Sequence, residues 1–121
     1  MYLNRSEIVL FYNQQKPIGK KTLALAKSLG AKVNQQEIHD TRISPTLFGY
    51  TLAKANAEGK HLMNKSLDYY QAYLAGNEID AEEALACMKS HPEVFEFPLA
   101  FWKNKAVICR TPTDIFKLYQ A

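Results

Sequence analysis

The segment spanning residues 8–23 constrains this chain most. Ile8, Val9, Leu10, Phe11 and Tyr12 form an unbroken apolar run, as expected of a strand covered on both faces. A polar loop follows, then a helical pattern over residues 19–29 in which Leu25, Ala26 and Leu29 share one face, with Thr22 above them. Gly30 stands where a helix C′ residue is expected. Residues 33–39 read as a second strand, but Asn34, Gln35, Gln36 and Glu37 are poor core residues, which predicts a sheet edge. Strand, helix and strand at this spacing make a βαβ unit with a right-handed crossover.

The middle of the chain reads as helical. Ser44 and Pro45 supply an N-cap and an N1 proline for a helix reaching about Ala57, interrupted only by Gly49. Gly59 breaks the pattern. A second helix is predicted from about Asn64 to Leu74, carrying Leu67, Tyr70 and Leu74, and it ends at Gly76 and Asn77. Asp80 with Glu83 makes a capping-box pattern for a third helix, whose stripe is Ala81, Ala84, Leu85 and Met88; His91 and Pro92 end it.

Strands return near the C-terminus. Residues 98–102 and 106–109 are short apolar runs joined by Lys103, Asn104 and Lys105, which predicts a hairpin. Thr111, Pro112 and Asp114 then open a last helix with Ile115, Phe116, Leu118 and Tyr119 as its apolar residues. The predicted fold class is therefore α/β, with a four-stranded mixed sheet in the order β-α-β, then β-β-α. A helical insertion over about residues 45–90 separates the halves of a single domain 1–121, which is the thioredoxin arrangement.

At 121 residues the chain is long enough to bury a real core, and 47% apolar with 22% charged residues is ordinary for a globular protein. A net charge of +3 without a clustered basic stripe argues against nucleic-acid binding. No apolar run has the length of a membrane span or of a signal-peptide core. Two cysteines, Cys87 and Cys109, are too few for a disulfide scaffold and suit a reduced, cytoplasmic protein.

The chain resembles the glutaredoxin-coupled arsenate reductase and Spx family over nearly its whole length. The resemblance is carried by Tyr12-Asn13 with Thr22-Leu23 nine residues further on, by Leu62-Met63-Asn64-Lys65-Ser66, by His91-Pro92 with Pro98, and by Cys109-Arg110 with Pro112 leading into the last helix. In the active enzymes that this resembles, a cysteine three residues after the loop asparagine attacks arsenate as a thiolate. The matching position here is Lys16, and an amine cannot form the thiol–arsenate adduct. The family's three arginine ligands of the oxyanion match Asn64, Phe97 and Arg110, so one remains. Spx-type regulators carry a two-cysteine switch in the same loop, whereas residues 14–19 hold no cysteine. The resemblance also implies a cis peptide bond before Pro98.

The residues themselves leave two uses for the loop. Lys16, Lys20 and Lys21 crowd a helix N-terminus, against the helix dipole. Asn13, Lys16, Lys20 and Arg110 could form a residual site for phosphate, sulfate or a glutathione carboxylate, or the lysines are simply solvated. The sequence Gly19-Lys20-Lys21-Thr22 is no P-loop, because the upstream glycine would fall at Gln14. A Schiff-base role for Lys16 would need a desolvated site, and the loop is polar. Cys109, near the end of an apolar strand, reads as a buried inert thiol, and Cys87 as a packing residue. His39, His61 and His91 lack metal-ligand spacing. Phe95, Phe97, Phe101 and Trp102 read as core, with Trp102 the most exposed. No cofactor is implied. The favoured expectation is a non-catalytic binding or regulatory protein whose partner is a protein, a small anion or glutathione; the alternative is a thiol oxidoreductase that uses a displaced cysteine.

Overall fold

A computed structural model describes residues 7–29 and 32–119. Four strands, β1 (Glu7–Tyr12), β2 (Lys32–Glu37), β3 (Leu99–Trp102) and β4 (Lys105–Ile108), form one sheet in the order β2-β1-β3-β4. β1 and β2 are parallel, with Ile8 opposite Val33 and Tyr12 opposite Glu37. The β1–β3 and β3–β4 pairs are antiparallel, with Phe11 opposite Leu99 and Leu99 opposite Ile108. The polar strand β2 does lie at an edge. Hydrophobic β1 is central, where both faces need apolar cover.

Alternation along the strands builds two cores. Val9, Phe11, Leu99 and Phe101 face the helical insertion and pack with Phe48, Leu52, Leu62, Met88 and Phe95. Ile8, Leu10, Tyr12, Ala100 and Cys109 face the other way, with Ala26 of helix α1 (Pro17–Ser28) and with Ile115 and Leu118 of the last helix. The insertion contributes α2 (Pro45–Lys54) and α3 (Ala81–Ser90). Ser44 Oγ accepts from Leu47 N to cap α2, and Asp80 and Glu83 form the reciprocal capping box of α3.

Four expectations about the helices change. α1 begins at Pro17, two residues early, because proline at N1 sets the helical φ without losing a needed donor. α2 stops at Lys54, short of Ala57, and Asn56 takes a left-handed φ of 52°. Residues 64–74 are not one helix. Asn64 Oδ1 accepts from both the N–H and the hydroxyl of Ser66, which holds a turn in place of a helical start. The chain then winds into a π-helical turn at Tyr70–Leu74, closed by Ala75 N to Tyr70 O at 2.9 Å. The last helix, Pro112–Tyr119, is 3₁₀ rather than α. Gly30 lies outside the described residues.

The bond before Pro98 is trans: no cis peptide occurs among the described residues. Glu96 N and Phe97 N both donate to Leu62 O, and Pro98 O accepts from Cys109 N. Pro98 thus enters β3 as an extended residue just ahead of the strand, a place where proline's missing donor costs no ladder bond. Nothing in that pairing opposes the ordinary trans preference.

Candidate functional site

The site forms where β1 hands over to α1. Asn13 is buried and ties the loop to the far side of the fold: its Nδ2 donates to Pro92 O at 2.7 Å and to Phe95 O at 3.4 Å. Its Oδ1 accepts from Gln15 N at 2.9 Å, and its carbonyl accepts from Lys16 N at 3.1 Å. Gly19 presses against the same carbonyl; a Cβ there would sit 2.3 Å from Asn13 O. Asn13 is a candidate ligand-binding residue by its place in the sequence, but its polar atoms are spent on the chain itself.

Lys16 occupies the N-cap of α1, with extended backbone angles and no side-chain cap. Its Nζ lies 3.2 Å from Glu96 Oε1, and the two side chains are only 21% and 24% exposed. The same oxygen accepts from Asn64 Nδ2 at 3.4 Å. One half-buried carboxylate therefore sits between the lysine at the helix start and the asparagine of the mid-chain block. Sequence reasoning missed Glu96, the one acid in an aromatic run, because nothing local marks its partner.

A groove of about 450 Å³ opens beside this pair. His61, Met63, Asn64 and Lys65 line it together with Glu96, Phe97 and Arg110. The Arg110 guanidinium stands 5.1 Å from the centre of the Phe97 ring, a cation–π arrangement. Asp114 steadies the Arg110 backbone: its Oδ2 accepts from Arg110 N and Thr111 N, each at 3.0 Å. Burial alone would raise the Asp114 carboxyl, but the Thr111 and Arg110 amides and Lys117 together hold it below the usual range. Of the expected anion residues, Arg110 lines the groove, Lys16 stands behind Glu96, and Lys20 is exposed on α1 away from the lining. Phe97 joins this lining, while Phe95 and Phe101 are core and Trp102 is half-buried against Tyr119.

Neither cysteine lines the groove. Cys109 is fully buried in the core beneath α1, and burial, reinforced by Asp114 and slightly opposed by Lys117, pushes its thiol up to about 12. Cys87 is half-buried on α3, on the other side of the sheet, with its Sγ 3.6 Å from the Tyr69 hydroxyl. That contact, more than burial, raises the Tyr69 hydroxyl. Both cysteines are free thiols. Among the described residues, no three His, Cys, Asp or Glu side chains gather as a metal site, and no helix is long and apolar enough to cross a membrane.

No protein-family model matches the chain, and no curated protein matches it in sequence. Solved structures do match it in shape. An arsenate reductase from Vibrio cholerae is 20% identical with a TM-score of 0.72, covering 95% of this chain and 99% of its own. A candidate arsenate reductase from Yersinia pestis is 21% identical with a TM-score of 0.70, covering 91% and 98%. An arsenate-reductase-related protein from Brucella melitensis is 11% identical with a TM-score of 0.58, covering 99% and 100%. The chain thus has the thioredoxin-like fold of arsenate-reductase structures.

Proposed function

We propose that this chain is a non-catalytic binding or regulatory protein on an arsenate-reductase-like scaffold, with Lys16 where the nucleophilic thiol would stand. The observation that carries this reading is the Lys16–Glu96 pair at 3.2 Å. A protonated amine has no lone pair with which to attack arsenic, and its pairing with Glu96 keeps it behind the groove's lining. The groove at Arg110 is then a recognition surface for a protein, a small anion or glutathione. No cofactor is needed for that role.

The competing reading, a thiol oxidoreductase with a displaced cysteine, has one supporting observation: Cys87 is a partly exposed thiol in contact with a tyrosine hydroxyl. Cys109 offers it little, since a buried thiol held near 12 supplies almost no thiolate at neutral pH. The test is a glutathione- and glutaredoxin-coupled arsenate reduction assay on the wild type and on Cys87→Ser/Cys109→Ser. The expected result is no turnover above the protein-free rate in either. Wild-type turnover that vanishes in the double variant would replace the binding reading with the oxidoreductase one.

A further inference from the structure

We infer that the groove between Lys65 and Arg110 docks an acidic peptide segment of a partner protein. The inference rests on the non-catalytic reading and names the partner's chemistry. Glu96, the one carboxylate lining the groove among the described residues, is paired with Lys16. That leaves Lys65 and Arg110, both exposed, as its outward-facing cations, and no side-chain carboxylate pairs with either among the described residues. His61 adds a further donor: its Nδ1 accepts from Glu58 N at 3.0 Å, so its ring proton is on the other nitrogen.

Charge complementarity therefore selects an anionic occupant. At about 450 Å³ the groove has room for several residues of a peptide and far more than a compact ion fills. The lining mixes polar His61, Asn64, Lys65 and Arg110 with the apolar Met63 and Phe97. Glu96 itself shows how one carboxylate is received, between an ammonium and an amide N–H. Phe97, under the Arg110 guanidinium, gives the peptide's apolar stems a surface while holding that guanidinium near one lip.

The probe is an acetylated, amidated hexapeptide of Glu and Asp carrying a fluorophore, read by anisotropy and by amide shifts of the 15N-labelled protein. A Gln/Asn peptide of equal length, inorganic phosphate and a single-stranded oligothymidine serve as comparators. The acidic peptide is expected to bind and to shift the amides of residues 61–65, 96–97 and 110. The Gln/Asn peptide and phosphate should leave them in place. Lys65→Glu and Arg110→Glu change exposed side chains and should each weaken binding about tenfold, more at low salt than at high. Glu96→Gln should tighten it about threefold, because it frees Lys16 and removes a like charge.

Absence of groove shifts at about 1 mM peptide, a Kd too weak for a specific partner, would overturn the inference. So would charge reversals that leave the affinity unchanged, or oligothymidine binding more tightly through the same residues, which would make the surface one for nucleic acid. The reductase assay reads the catalytic question separately, so either idea can fail while the other stands.

Discussion

Helices α1 and α3 begin in opposite ways. α3 opens on a reciprocal box: Asp80 Oδ1 accepts from Glu83 N at 2.8 Å, Glu83 Oε1 accepts from Asp80 N at 3.1 Å, and Glu82 and Glu83 place negative charge in the first turn. α1 opens on Lys16, with no side-chain cap and no acid in its first turn, and Lys20 and Lys21 follow. By local rules α3 is well started and α1 poorly. Yet α1 is the longer helix, at 12 residues against 10. The difference teaches that α1 is held by tertiary contacts: Asn13 pins the preceding loop, and Gly19 lies directly on the Asn13 carbonyl. Its first residues are arranged for what stands beside the groove, and the helix tolerates the cost because packing supplies most helical stability.

The largest effect should come from attacking that tertiary hold. Gly19→Ala places a methyl 2.3 Å from a backbone oxygen that no side-chain rotation can move away. It should cost about 3 kcal/mol in urea unfolding, the upper part of the range for overpacking. A loss below about 1 kcal/mol would mean that α1 shifts freely on β1, and the contrast with α3 would lose its basis.

A smaller effect separates the two caps themselves. Asp80→Ala removes the acceptor for Glu83 N and should cost about 1 kcal/mol. Lys16→Ala removes no cap and breaks one partly exposed ion pair, so it should cost less than about 0.5 kcal/mol. Equal losses in thermal or urea unfolding would show that the Lys16–Glu96 pair does for α1 what the box does for α3.

The same contrast explains what could be read from the chain alone. The caps at Ser44 and Asp80 were legible because the residues involved are three apart and the physics is local. β1, β3 and β4 were legible as apolar runs, and β2 as an edge strand from its polarity. Lys16 was legible as a loop residue close to the start of α1, but its N-cap position was not, because the helix begins two residues earlier than the pattern gave. The π-turn at Tyr70–Leu74 was not legible. The apolar spacing of Leu67, Tyr70 and Leu74 fits an ordinary helix, and the one-residue change in hydrogen-bond spacing leaves no mark in sequence. Glu96 was missed for a related reason: its partners Lys16 and Asn64 lie far along the chain, and only folding brings them together. The isomer at Pro98 was inferred from resemblance, and the bond is trans.

The finest test adjusts α1 toward α3. Lys20 is exposed in the first turn of α1, and Lys20→Glu would place negative charge where the helix dipole favours it. The dipole effect at an exposed site is about 0.3–1 kcal/mol, so the variant should be more stable by about 0.5 kcal/mol. Because Lys20 does not line the groove, acidic-peptide affinity should fall only through long-range charge, and that fall should disappear at high salt. A stability gain with a salt-screened loss of affinity would mean that the lysines at this helix start serve the surface at the expense of the helix. A stability loss would mean that Lys20 supports α1 in a way its exposed position does not reveal, and the two helix starts would then differ less in purpose than in form.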